Sequence, residues 1–133
     1  MRTIKFRGKC AKDSRYAGEW VEGGVLQCQK SDDVLIVSAI TDTCSCTYHV
    51  DPATVGQFTG LYDKNHNEIY EGDILAVQGI DEKLEVRFVR GVFAFLWNGD
   101  LDNECPTGSP THEWAEVVGN IHDNFELLKG GKL

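Results

Sequence analysis

From Ile69 to Ile121 the chain breaks into short runs in which side chains of opposite character alternate, separated by turn-forming residues. A period of two fits a pleated strand and does not fit an α-helix. Leu84 to Arg90 places Leu84, Val86 and Phe88 on one face. Val92 to Trp97 places Phe93, Phe95 and Trp97 on one face and Val92, Ala94 and Leu96 on the other, after a tight reversal at Gly91. Ile74 to Val77 and Trp114 to Ile121 read the same way, the second with Gly119 inside it. With Glu68 to Tyr70 this makes five short strands and no pattern long enough for a core helix, which predicts a small barrel. The aromatic stripe is read first as barrel core, although a stacking or peptide platform has the same pattern. The interval 98–112 is rich in Gly, Pro, Asn, Asp and Ser. A loop of that length is functional or mobile.

The first half is also β-rich. Ile4, Phe6 and Gly8 alternate with Lys5, Arg7 and Lys9, which predicts a half-buried strand over 3–9. Glu19 to Gln29 resumes a strand pattern, with a bulge or bend expected at Gly23-Gly24. Val34 to Ile40 is β-branched on both faces and reads as a covered strand, with Cys44 to Val50 a further candidate. Asp51-Pro52-Ala53-Thr54-Val55-Gly56 carries the marks of one helical turn, capped by Asp51, begun by Pro52 and stopped by Gly56. Gln57 to Tyr62 is extended, and Asp63-Lys64-Asn65-His66-Asn67 forms the hairpin turn after it. Asp123, three residues before Glu126, signals a short helix over Phe125 to Lys129 that ends at Gly130-Gly131. The resulting organisation is mainly β, with an N-terminal β-rich region over 1–66 and a small barrel over 67–133.

The chain has 133 residues, 41% of them apolar and 26% charged, which suits one domain or two small ones and excludes disorder, collagen and coiled coil. The net charge of −8 is unevenly placed: residues 1–66 are neutral and residues 67–133 carry all of it. Six cations against one acid fall in the first fifteen residues. The acidic balance opposes a large nucleic-acid surface, because phosphate contacts need clustered Lys and Arg. The basic strand is therefore expected to meet acidic groups of the second half, within the chain or across a subunit contact. No apolar core follows the early cations, and no apolar run is long enough to span a bilayer, so a cytoplasmic location with no membrane association is expected. Five cysteines, an odd number, argue for reduced thiols rather than a disulfide framework.

Five segments carry a resemblance to a known family. They are Ile4-Lys5-Phe6-Arg7-Gly8-Lys9 following Arg2, Trp20-Val21 with Gly23, and the long block from Val50 to Asn65 with Asp51-Pro52 and Thr54-Val55-Gly56-Gln57-Phe58-Thr59-Gly60-Leu61. Ile69-Tyr70-Glu71-Gly72-Asp73-Ile74-Leu75 and Val117-Val118-Gly119-Asn120-Ile121-His122-Asp123-Asn124 complete them. In this order they resemble the YopX family of bacteriophage and prophage proteins over essentially the whole chain. Phe125 stands where the family usually has proline, and Ser31 to Cys46 carries no family motif. The resemblance implies a C-terminal SH3-like barrel, a phage or prophage gene, a location in the bacterial cytoplasm and self-association. It implies no reaction, no catalytic residues and no cofactor.

Four chemical readings compete with plainer ones. Cys44-x-Cys46-x2-His49 offers three zinc ligands, with Cys28 or Cys10 as a fourth, but lacks the paired Cys-x2-Cys spacing of zinc ribbons. Packing or exposure is the plainer account. Cys105 and His112 form a thiol-imidazole pair in the long loop, with nothing to fix their geometry. Asp63-Lys64-Asn65-His66-Asn67 begins like a calcium loop but has Glu68 where Gly is needed and Ile74 where Glu is needed. Lys5, Arg7 and Lys9 could track phosphates or be a solvated or acid-paired face. The reading that follows is a non-enzymatic module that binds a protein partner and self-associates, with no catalytic residues, metal or cofactor assigned. A small nucleic-acid-binding module using Lys5, Arg7 and Lys9 is the alternative.

Overall fold

The computed structural model describes residues 3–39, 43–105 and 114–128. The chain divides into two compact units, Met1–Phe58 and Thr59–Leu133. The division falls earlier than the 66/67 boundary read from the sequence. The strand Gly56–Tyr62 is cut by this division, and the turn after it belongs with the second unit, because it is bonded into that unit's sheet.

In the first unit, β1 (Phe6–Lys9), β2 (Trp20–Gln27), β3 (Val34–Ala39) and β4 (Ser45–Val50) pair in sequence order, all antiparallel. β2 pairs with β1 as far as Gly23 and with β3 from Gly24 onward. The bend at this point depends on glycine: a Cβ at Gly23 would collide with the Val37 carbonyl oxygen. A bridge between Cys10 and Val50 ties the end of β4 back to the first strand. Around it Ala11 N–H donates to the His49 carbonyl at 2.9 Å and Asp51 N–H to the Lys9 carbonyl at 2.8 Å. Gly8 is needed beside this junction, since a Cβ there would stand 3.0 Å from Val50. The core is Val34, Ile36 and Val50, with Phe6, Val21, Val25, Tyr48 and Val55 packed against it.

A 3-10 turn, Pro52–Thr54, follows, and the Asp51 side chain accepts from Ala53 N–H at 3.0 Å as the capping reading requires. Gly56 does not stop this turn. Val55 ends it in an extended conformation, and Gly56 opens β5 (Gly56–Tyr62), where it pairs with Arg7.

In the second unit, β6 (Glu68–Tyr70) returns from the β5 turn, with His66 at the left-handed φ of 65°. Next come β7 (Asp73–Val77), β8 (Lys83–Val89), β9 (Val92–Trp97), β10 (Glu104–Cys105) and β11 (Ala115–Asn120). These last five form an antiparallel sheet in the order β10-β9-β8-β7-β11. Among the described residues β10 and β11 are its outer strands, and no pairing joins them. Among the described residues the unit is thus a five-stranded sheet, without the closure of the barrel expected from its strand count.

Leu75, Leu84, Val86, Phe95, Cys105 and Ala115 form a core with Ile69, and Trp97 packs against it. On the other side of the strands Ile74, Glu85, Ala94 and Leu96 are also buried. Leu128 is buried too, and it reaches the same spot beside Gly99 as Glu85 does. It follows the closing 3-10 turn, Phe125–Leu127, which is entered from Asn124 rather than capped by Asp123. Each large apolar side chain removed from water contributes about 2 kcal/mol, so two covered faces give this unit the larger share of burial.

Candidate functional site

Strand alternation decides most of the sequence candidates. In β4, Cys46 and His49 are three residues apart and therefore point to opposite faces. Cys46 lies on the face of Tyr48, while His49 faces the other way and meets Asp33, Nε2 to Oδ1 at 3.1 Å. Cys44 precedes the strand and is exposed. The Cys44, Cys46 and His49 set is thus not brought together. Among the described residues no group of three or more His, Cys, Asp or Glu side chains could hold a metal ion.

Cys105 is a core residue, not a loop nucleophile. It forms β10, pairs with Phe95, and burial pushes its thiol pKa up. His112 lies outside the described residues. Cys28, by contrast, is exposed on the β2–β3 connection. The Ser31 hydroxyl, then the backbone N–H groups of Lys30 and Ser31, stabilise its thiolate and pull its pKa down.

The basic strand is engaged within its own unit. Lys5 pairs with Glu22 on β2 at 3.6 Å, and its Nζ stands 5.5 Å from the centroid of the Phe58 ring. The Arg7 guanidinium lies 4.9 Å from the Trp20 ring centroid. The carboxylate found for Lys5 is local, one strand away. The Lys9 backbone N–H donates to Thr54 Oγ1 at 2.8 Å, which ties this strand to the 3-10 turn.

Two carboxylates whose burial was not read from the sequence organise the second unit. Asp63 is fully buried. One of its oxygens accepts from Asn65 N–H at 2.9 Å and Asn67 N–H at 2.8 Å, and the other from Val117 N–H at 2.9 Å and Asn67 Nδ2 at 3.3 Å. Lys64 N–H donates to the Ala115 carbonyl, also at 2.9 Å. The β5–β6 turn therefore occupies backbone groups on the free edge of β11, an edge that would otherwise invite another strand. Burial alone would raise the Asp63 pKa. The hydrogen bonds from Val117, Asn67 and Asn65 outweigh it, and the net shift is downward. The Asp-Asn-Asn spacing that begins like a calcium loop is thus spent on N–H donors.

Glu85 is the second. Arg87 grips it with two bonds, Nε to Oε2 at 3.0 Å and a terminal nitrogen to Oε1 at 2.7 Å. The hydrogen bond to Glu85 raises the Arg87 pKa, against a smaller opposing effect of burial. Gly99, at a φ of 74°, leaves room for the carboxylate, since a Cβ there would stand 2.6 Å from Oε1. The signal in the sequence was a charged residue at a strand position whose cross-strand neighbours, Ile74 and Leu96, are apolar.

The aromatic stripe divides. Phe95 is buried and Trp97 packs on the core. Phe93 instead stacks edge-on against Phe88, centroids 5.1 Å apart at 67°. Phe88 is 49% exposed and Val92, on the opposite face of the hairpin tip, 55%. Arg90 and Gly91, both with positive φ, make the reversal between them.

The YopX family model matches residues 5–129. The chain belongs to the YopX family. Its fold is similar to that of protein EF1440 from Enterococcus faecalis, known from a crystal structure. That likeness has a TM-score of 0.58 at 23% identity and covers 96% of this chain and 99% of that one. No curated protein matches the chain. Among the described residues no helix is long and apolar enough to cross a membrane.

Proposed function

We propose that this YopX-family chain is a non-enzymatic accessory module, phage- or prophage-encoded and cytoplasmic, that self-associates and binds a protein partner. The observation that carries the reading is the β8–β9 hairpin tip. Phe88 with Phe93 on one face, and Val92 on the other, present apolar surface well beyond the core that buries Val86 and Phe95. Exposed apolar groups gathered at one tip, on both of its faces, suit an association surface. The buried Cys105 removes the motive for thiol catalysis. The phosphate-tracking alternative has less support, because Lys5 and Arg7 are already held by Glu22 and Trp20. Sedimentation tests the proposal. The chain should sediment above its monomer mass of 14.8 kDa, and a Phe88→Glu, Val92→Glu variant should return to it. A wild-type chain that stays monomeric at high micromolar concentration would remove self-association from the reading.

A further inference from the structure

The core of the first unit is open at one end. Phe6, Val25, Val34, Pro52 and Val55, with Gln27 at the rim, line a recess of about 320 Å3. Four of these apolar residues, Phe6, Val25, Val34 and Val55, are the same side chains that build the unit's core. Gln27 also belongs to a second recess of about 400 Å3, lined by Cys28, Gln29, Ser31 and Asp32. An apolar recess and a polar, acid-bearing recess thus lie side by side and share one residue.

A unit of this size buries a smaller fraction of its surface than a larger domain, so core walls left wet are a substantial loss. The apolar recess sits at the low end of the roughly 300–1,000 Å3 typical of small-molecule sites, which suits a single side chain or ring better than a cofactor. Asp32 supplies a carboxylate to the neighbouring recess. Ser31 holds Asp33, which also meets His49, so of the two adjacent carboxylates Asp32 is the one that lines the recess.

The geometry points to a peptide-binding site on the first unit, one that takes an extended segment carrying an apolar side chain next to a cationic one. The apolar group enters between β1, β2 and the 3-10 turn, and the cation lies against Asp32. Gln27, between the two, offers an amide donor and acceptor to the peptide backbone. This deepens the protein-binding reading and rests on it. It is independent of the hairpin tip, which belongs to the other unit.

The test uses labelled acetyl-Gly-Ser-Phe-Lys-Gly-Ser-amide and the full chain, with fluorescence anisotropy for affinity and amide chemical shifts for location. Binding should perturb Phe6, Val25, Gln27 and Val55, and replacing the peptide's Phe by Ser or its Lys by Glu should each weaken it about tenfold or more. Asp32→Lys, an exposed change that leaves the core intact, should reverse the preference from Lys to Glu, and Val25→Phe should abolish binding by filling the recess. Saturation without shifts at these residues, or affinity unchanged in Asp32→Lys, would overturn the assignment. So would indole alone binding as tightly as the peptide. Run in the Phe88→Glu, Val92→Glu background, the same titration separates the two ideas. Binding kept there stands with or without self-association, and no binding there overturns the site while leaving the sedimentation result to judge the rest.

Discussion

In Met1–Phe58, one bridge between Cys10 and Val50 returns the fourth strand to the first, and core side chains line an open recess. In Thr59–Leu133, the sheet has buried residues on both faces, and a buried carboxylate occupies the outer edge of β11. The first arrangement leaves apolar wall available to a partner. The second covers both faces of its sheet, and the apolar groups it leaves exposed, Leu101 and Phe125 and those of the hairpin tip among them, lie outside that core. The open recess and the core covered on both faces therefore lie in different parts of one short chain.

The largest effect that would sharpen this contrast comes from the second core. Leu84→Ala should destabilise the protein by about 3–4 kcal/mol in urea unfolding, because Leu84 is fully buried between Leu75 and Trp97 and the site cannot collapse. A cost below about 1 kcal/mol would show that this core is not the stable one.

Asp63→Asn comes next, at about 2–3 kcal/mol, since an amide cannot accept from all four donors that the carboxylate satisfies. The sign of the pH dependence follows from the lowered pKa. A carboxyl group whose folded pKa is depressed stabilises the fold fully above its unfolded pKa, and that contribution is lost as pH falls through the folded value. The wild type should thus lose stability in acid more steeply than Asp63→Asn. Parallel acid limbs in the two proteins would mean that Asp63 is not the group responsible.

Gly23→Ala should cost about 1–3 kcal/mol by overpacking, because the added methyl meets the Val37 carbonyl where β2 passes from one partner to the other. Unchanged stability would show that the bend is soft. The smallest effects concern chemistry rather than stability. Cys28 should react with a thiol probe fastest, and its rate should begin to rise at a lower pH than that of a thiol in an unfolded peptide. Cys105 should react only as fast as the second unit opens. Equal rates for the two would contradict the burial difference. Lys5→Ala should change stability by less than about 1 kcal/mol, as partly exposed ion pairs do.

Much of the strand order was legible because alternation is a local signal: Leu84, Val86 and Phe95 face one core as their spacing requires. β10 was not legible, since two residues, Glu104 and Cys105, are too few to show a period. Gly56 was misread because glycine after a helical turn serves equally well as a stop or as a strand opening in a crowded register. The burial of Asp63 and Glu85 was not legible for a different reason. Residue type places carboxylates outside, and only long-range partners such as Val117, or a shaped space such as that at Gly99, make their burial favourable. The zinc reading of Cys44, Cys46 and His49 was open in sequence only until β4 was known to be a strand, where an odd spacing separates the faces. The recess around Phe6 and Val25 left no sequence signal, because its walls look like any core.

Hydrogen exchange followed residue by residue in one sample tests the contrast most directly. The account predicts that the amides of β8, at Leu84 and Val86, exchange at least about tenfold more slowly than those of β3, at Leu35 and Ile36, and that a peptide filling the recess slows exchange in the first unit and not in β8. Exchange in β3 as slow as in β8 without any peptide would contradict it.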